Sequence, residues 1–332
     1  MKVAINGFGR IGRLVLRAFF EFNKYDFEIV AVNDLLNIDS ALHLLKYDSI
    51  HGPFIHDVQK ISDTLFSING KRMTYVSEKS PENLPWNELD IDLVLECTGI
   101  FKTKQQCQAH LKSGATRVLI SCPSNDVDRT VVYGVNEDSI DKANDFVISN
   151  ASCTTNCLAP LVKAIREEIG ILSGFATTVH SYTGDQRLID AEHVDIRRAR
   201  AAAMNMIPTS TGATKAIEQI FPELRGKLSG LSIRVPTANV SMIDFTFYTA
   251  KRTTAADLNA VVMWYANGSL KGVLGYTNES LVSSDFNHNP LSSIVDTQLT
   301  KVVASNLAHM VAWYDNEWGF SNRMLDVSRC FL

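Results

Sequence analysis

The sequence predicts an α/β protein of two domains. Three observations carry that reading. A glycine-rich turn joins an apolar strand to an apolar-periodic helix at the N-terminus. Short apolar strands then recur through the first 150 residues. The second half brings looser alternation, as in MIDFTFYT at Met242 to Thr249, which suits a sheet with one covered face. At 332 residues the chain is long enough for two domains with large cores.

Lys2 to Asn6 reads as a buried strand. Gly7-Phe8-Gly9-Arg10-Ile11-Gly12 follows, then a helix through Leu14, Val15, Ala18 and Phe19. This is G-x-G-x-x-G in the strand–turn–helix setting that gives the motif its meaning. Gly7 would make the tight turn, Gly9 would admit a pyrophosphate to the backbone, and Gly12 would let the helix lie close to the strand. The phosphates would sit over the helix N-terminus. The second strand, Glu28 to Asn33, ends at Asp34, placed to accept hydrogen bonds from the adenosine ribose and to repel a 2′-phosphate. That favours NAD over NADP. A helix is expected over Ile38 to Leu45, and Asn69-Gly70 marks a hairpin between Leu65–Ile68 and Met73–Val76. Asp92 to Cys97 and Arg117 to Ser121 are further strands, with Thr98 and Ser121 at their ligand-side ends. Val131 to Val135 and Phe146 to Ser149 complete a doubly wound domain of the Rossmann kind.

Next comes SNASCTTNCLAP, Ser149 to Pro160, followed by an apolar helical run that stops near Gly170. Cys153 falls at or near that helix's N-terminus, where unpaired N–H groups favour a thiolate. It is a candidate nucleophile; a buried structural cysteine is the alternative, and Cys157 suits that role better. Thr177 to His180 ends a strand, and a Cys–His pair is a known route to an activated thiol. With eight histidines in the chain, composition does not select His180. Tyr182 to Pro208 lacks periodicity and carries Arg197, Arg198 and Arg200, an anion site or an interface network. Thr209 to Gly212 precedes a helix near Ala213 and suggests an anion pocket. Arg234 lies in a strand edge, Ala255 to Ala266 in a helix, and Asn322 to Phe331 in a closing amphipathic helix. Val302 to Trp313 fits strand or helix.

The apolar fraction is 45% and the charged fraction 20%, ordinary for a soluble globular chain. A net charge of -4 gives no electrostatic reason to bind nucleic acid or an anionic membrane. Six cysteines form neither a disulfide scaffold nor a zinc pattern, so no metal is expected, and reduced thiols in the cytoplasm are the simpler reading. MKVAINGFG lacks a signal-peptide core, and no apolar run reaches membrane-spanning length.

INGFGRIGR, KYDSIHG, SNASCTTNCLAP, HSYTGDQR, IPTSTGA, GLSIRVPTANVS, YTNESLVSSDFN and WYDNEWGFSNR stand in one order and spacing. Over essentially its full length the chain resembles type I phosphorylating glyceraldehyde-3-phosphate dehydrogenases. The resemblance implies an NAD-binding Rossmann domain over 1–150, an α+β catalytic domain over 151–316, and a C-terminal helix, 317–332, packed back on the first. It implies Cys153 as nucleophile and His180 as its partner. Ser152, Thr154, Thr211 and Gly212 would hold inorganic phosphate. Thr183, Asp185, Arg198 and Arg234 would surround the substrate phosphate, with Arg234 near both anions. Asn6, Gly7, Gly9, Arg10, Ile11, Asp34, Lys79, Thr98, Ser121 and Asn316 would contact NAD. Phe320 stands where the family commonly has tyrosine. A cytoplasmic homotetramer acting on D-glyceraldehyde 3-phosphate is expected, with no obligatory nucleic-acid or membrane partner. NAD-dependent erythrose-4-phosphate dehydrogenase, of pyridoxal phosphate biosynthesis, is the alternative; it tends to lose the threonine–glycine pair kept here as Thr211-Gly212.

Overall fold

A computed structural model describes residues 1–332. Two compact units divide the chain. The first takes Met1–Val131, Asn136–Ala151 and Ser321–Leu332; the second takes Val132–Val135 and Ser152–Phe320.

The first unit is built in chain order from β1 (Lys2–Asn6), α1 (Arg10–Phe22), β2 (Glu28–Asn33), α2 (Ile38–Lys46), β3 (Val58–Ser62), β4 (Leu65–Ile68), β5 (Lys71–Val76), β6 (Leu93–Glu96), α3 (Lys104–Lys112), β7 (Arg117–Ile120), β8 (Arg129–Thr130) and β9 (Val147–Ser149). Its nine strands lie in the order β3-β4-β5-β2-β1-β6-β7-β9-β8. β1 pairs in parallel with β2 on one side and β6 on the other, so chain order reverses across it. That reversal opens a crevice at the strands' carboxyl ends. Val3, Ala4 and Ile5 are fully buried, which is why so short a strand holds the centre. Asn69-Gly70 turns β4 into β5, both residues at positive φ.

The turn after β1 depends on two glycines. Gly7 has φ +92, and a β-carbon there would lie 2.6 Å from the Thr98 nitrogen. A β-carbon on Gly12 would lie 2.0 Å from the Gly7 carbonyl oxygen. Close approach of α1 to the turn is therefore possible only with hydrogen at both places. Gly9 faces open space.

The second unit holds α4 (Cys153–Glu168), β10 (Ile171–Ser181), β11 (Ile207–Thr209), α5 (Ala213–Ile220), β12 (Leu228–Val235), β13 (Ser241–Thr249), α6 (Ala255–Asn267), β14 (Leu274–Thr277), β15 (Ser293–Val303) and β16 (Leu307–Tyr314). Its sheet runs β11-β12-β10-β13-β16-β15-β14, with β10 parallel to β12 and antiparallel to β13. Along β13 Ile243, Phe245 and Phe247 are buried while Met242, Asp244 and Thr246 are partly exposed, the alternation of a one-sided sheet. Helix α4 packs against α5, α6, β15 and β16, so its apolar residues are almost all buried.

The α/β class holds, with several elements displaced from expectation. Val131 to Val135 is not a strand. Val131 and Val132 are fully buried, but Arg129–Thr130 does the pairing with β9, and Gly134 at φ +82 turns the chain. The ambiguous stretch Val302 to Trp313 is two antiparallel strands, the end of β15 and β16. The last helix, α7, spans Trp318–Arg329 and so starts before Asn322. Asp315 Oδ1 accepts the N–H groups of Glu317 and Trp318, at 2.9 and 2.8 Å, and initiates it earlier.

The Gly12 contact makes a direct test. Gly12→Ala inserts a methyl into a carbonyl contact and should lower stability by about 1–3 kcal/mol, the usual cost of overpacking. It should also weaken nucleotide binding. A thermal melt and NAD titration matching the unmodified chain would refute this account of the turn.

Candidate active site

Cys153 occupies the first position of α4. Ser152 caps the helix, its hydroxyl accepting the Thr155 N–H at 3.0 Å. The half-buried Cys153 thiol thus lies among the helix's first-turn N–H groups. Cys157, one turn on, is fully buried and directs its thiol to the Ser293 hydroxyl at 3.5 Å. Burial pushes the Cys157 thiol far up, which suits an inert core residue.

His180 lies near the end of β10. Its Nδ1 is 2.7 Å from the Ser181 carbonyl oxygen. A carbonyl only accepts, so Nδ1 carries the proton and the Nε2 lone pair is left facing outward. That Nε2 is 3.5 Å from Cys153 Sγ. The parallel register of β10 and β12 sets Arg234 directly opposite His180. Burial, followed by the Arg234 charge and more weakly by Arg198, lowers His180 to about 3. The imidazole is therefore neutral and able to accept a proton. Burial pushes the Cys153 thiol up, while Arg234 and hydrogen bonds from the first turn pull it back down. The resting pair is thiol and neutral imidazole, with a cation placed to favour the thiolate once the proton moves.

Beneath this pair lies a contact that the sequence did not reveal. The Tyr314 hydroxyl joins Thr154 Oγ1 at 2.9 Å to Thr178 Oγ1 at 2.8 Å, and its ring meets the His180 ring edge-on at 6.0 Å. It ties the helix that carries Cys153 to the strand that carries His180. Ser181 and Ser241 were also missed. Both hydroxyls donate to Asn316 Oδ1, at 2.8 and 2.9 Å, which fixes the amide so that Nδ2 is its free donor edge. Ser181 adjoins His180 in the HSYTGDQR segment, the one sequence hint.

The anion candidates fall into two groups. Arg234 Nη1 donates to Thr183 Oγ1 and to the Ser181 carbonyl, both at 3.2 Å. Arg198 donates to Asp185 at 2.9 Å and to Thr209 Oγ1 at 3.0 Å. Arg198 and Arg234 each lie within electrostatic reach of the other. Thr211 and Gly212 open α5, with Thr211 Oγ1 accepting the Ala213 N–H at 3.2 Å.

In the first unit a cavity of about 680 Å³ sits at the carboxyl ends of β1, β2 and β6. Asn6, Gly7, Gly9, Asp34, Lys79 and Thr98 all line it; Arg10, Ile11 and Ser121 lie outside its lining. Arg10 instead pairs with Asp48. Burial would raise the Asp48 carboxyl, but the His51 N–H, Arg10 and the Ile50 N–H together hold it down to about 2. Asp34 accepts the N–H groups of Phe8 at 2.5 Å and Leu36 at 2.9 Å, so its carboxylate is fixed at the cavity wall. A cavity of this size, with the open face of Gly9 for phosphates and a carboxylate for ribose hydroxyls, fits a dinucleotide. Asn316 belongs to the second unit and is described with it.

Known proteins agree with this architecture. The family description "Glyceraldehyde 3-phosphate dehydrogenase, NAD binding domain" matches residues 1–104, and "Glyceraldehyde 3-phosphate dehydrogenase, C-terminal domain" matches residues 152–316. The chain is 54% identical over 330 residues to a glyceraldehyde-3-phosphate dehydrogenase, plasmid-encoded, of Cupriavidus necator, covering 99% of this chain and 97% of that one. It is 52% identical over 330 residues to the glyceraldehyde-3-phosphate dehydrogenase of Zymomonas mobilis and 48% over 328 residues to that of Geobacillus stearothermophilus, with the same coverage in both. Both family descriptions match in order, and half the residues are shared from end to end; this chain belongs to the phosphorylating glyceraldehyde-3-phosphate dehydrogenase family.

Proposed function

We propose that Cys153 and His180 carry out the oxidative phosphorylation of D-glyceraldehyde 3-phosphate in this chain, giving 1,3-bisphosphoglycerate and NADH by way of a cysteine thioester. The observation that carries the residue assignment is the 3.5 Å approach of Cys153 Sγ to the unprotonated Nε2 of His180, with Arg234 opposite. His180 takes the thiol proton as Sγ attacks the aldehyde carbon and returns it to the new oxygen, leaving a thiohemiacetal. It takes that hydroxyl proton again as the carbon–hydrogen bond breaks, and a thioester remains. NAD, held by Asn6, Gly7, Gly9, Asp34, Lys79 and Thr98, supplies the hydride acceptor when bound. The Cys153 N–H, a first-turn donor, is available to the developing oxyanion. Inorganic phosphate then attacks the thioester carbon, the carbon–sulfur bond breaks, and the thiol is restored.

Thr183, Asp185, Arg198 and Arg234 are assigned to the substrate phosphate, and Ser152, Thr154, Thr211 and Gly212 to inorganic phosphate, with Arg234 serving both. Support comes from Arg234 and Arg198, two guanidiniums in mutual electrostatic reach beside the reacting pair. Asn316 is assigned to the nicotinamide amide, supported by the fixed orientation of its own amide. Arg10, Ile11 and Ser121 keep their cofactor assignment on family likeness. The domain limits 1–150 and 151–316, with the last helix returning to the first domain, are likewise proposed.

A cytoplasmic homotetramer is the proposed setting. All six cysteines are free thiols, as a reducing compartment would keep them. No helix is long and apolar enough to cross a membrane. Leu188, Ile189, Val194, Ile196, Met204 and Met206 stand exposed along one irregular segment, apolar surface that subunit packing would cover.

Five measurements test these assignments. Cys153→Ser should abolish turnover with NAD binding retained, and His180→Asn should slow turnover about 10²–10⁴-fold. Iodoacetamide should label Cys153 well ahead of Cys157; the reverse order, or a competent serine variant, removes Cys153 from the mechanism. Initial rates with and without inorganic phosphate, for glyceraldehyde 3-phosphate and erythrose 4-phosphate side by side, test the acceptor. Bulky replacements at Thr211 and Gly212 should impair the phosphate-dependent rate while sparing the first burst of NADH. Light scattering should give four chains per particle, and a stable monomer at micromolar concentration would refute the tetramer.

A further inference from the structure

Three residues stand side by side at the carboxyl ends of three adjacent parallel strands. Asn6 ends β1, and the register pairs it with Asn33 on β2 and with Glu96 on β6. Asn6 and Asn33 line the dinucleotide cavity, but Glu96 does not; its side chain is buried behind them, 1% exposed. We propose that Glu96 is the positioning residue of this cavity, setting both of its walls through hydrogen bonds that all run toward one carboxylate.

The first wall is reached by a relay. Asn6 Nδ2 donates to Glu96 Oε2 at 2.6 Å. That commits Asn6 Oδ1 to accepting, and it takes Asn33 Nδ2 at 2.7 Å. Asn33 Oδ1 in turn accepts the Glu78 N–H at 2.9 Å, while Asn33 Nδ2 also donates to the Glu78 carbonyl at 2.9 Å. Glu78, Lys79, Ser80 and Pro81 form that side of the cavity. The second wall is held directly. The Thr98 N–H donates to Glu96 Oε1 at 2.8 Å and the Thr98 hydroxyl donates to the same oxygen. The hydroxyl then accepts the Ile100 N–H at 3.0 Å, fixing the turn that brings Ile100 and Phe101 to the cavity.

The far side of Glu96 is closed in the same sense. Trp86 Nε1, which can only donate, lies 3.0 Å from His110 Nδ1. The His110 proton is therefore on Nε2, which lies 3.1 Å from Glu96 Oε2. Every group around Glu96 is a donor, and a carboxylate alone among the common side chains offers acceptors in all those directions. A glutamine of the same shape would turn an NH₂ toward Thr98, or toward Asn6 and His110, setting donor against donor in a dry site. Reversal of one link would flip Asn6 and then Asn33, and release Glu78.

The inference rests on the reading of this cavity as the NAD site. The experiment uses the full chain with Glu96→Gln, and Asn33→Ala as a second variant that cuts only the first wall. NAD and ADP-ribose affinities are measured by calorimetry, beside kcat at saturating NAD and the rate at which iodoacetamide alkylates Cys153. For Glu96→Gln the Kd of both ligands should rise at least about tenfold, with kcat and the alkylation rate within about threefold of the unmodified chain. Asn33→Ala should raise both Kd values by a smaller factor and decides the matter alone if Glu96→Gln does not fold. Unchanged Kd values in either variant would overturn the proposal. So would parallel loss of kcat, alkylation and thermal stability, the mark of a merely structural carboxylate. Failure of the unmodified chain to turn over glyceraldehyde 3-phosphate while it binds NAD would count against the proposed function and leave the Glu96 assignment standing.

Discussion

The second unit's chemistry depends on what Ser181 holds. Its carbonyl oxygen accepts both His180 Nδ1 and Arg234 Nη1. Its hydroxyl orients Asn316, and its N–H donates to the Ser241 hydroxyl at 3.1 Å. Three polar groups of one buried residue therefore fix the His180 ring, the Arg234 guanidinium and the Asn316 amide. The parallel pairing of β10 with β12 makes this possible, because it places residue 234 across from residue 180. A slip of one position between these two strands would turn Arg234 to the opposite face of the sheet, away from His180.

Arg234 acts on the reacting pair with one sign and two effects. Its charge draws the Cys153 thiol toward ionisation and keeps the His180 imidazole from accepting a proton at rest. Burial opposes the first effect and reinforces the second. The balance suits the proposed role of His180, a base that takes and returns a proton more than once in a cycle, since a permanently charged imidazolium could do neither. An anion arriving at Arg234 would weaken its effect on both groups, so anion binding there and the ionisation of the pair would be linked.

Much of this was legible in the sequence, and what was not has physical reasons. The strand–turn–helix of the first 22 residues was plain, because only glycine tolerates the carbonyl contact at Gly12 and the positive φ at Gly7. The Asn69-Gly70 hairpin was equally plain. β3 was missed because it is a thin edge strand: of VQKIS only Val58 is buried. α3 was missed because it is mostly polar, burying little beyond Cys107 and His110. β15 gave no alternation, since its first four residues are buried and most of the rest face outward. Of the site, Cys153 drew notice through its helix start, whereas His180 could be chosen among eight histidines only by family likeness. Tyr314, Ser241 and Glu96 were out of reach. Their roles lie in which buried polar atom meets which, and no local pattern records that.

Asp34 shows how selection can be built from rigidity. Its two oxygens are already engaged by the Phe8 and Leu36 N–H groups, so the side chain gives up its rotational freedom when the protein folds. Freezing such a side chain during binding would cost about 0.5–1.5 kcal/mol, and here that cost is absent from the encounter. The same immobility has a second edge. A flexible carboxylate could swing aside from an unwelcome phosphate on the ribose, but this one has nowhere to go. If Asp34 meets the ribose as proposed, exclusion comes from a charge that cannot retreat rather than from any tighter grip on the preferred ligand.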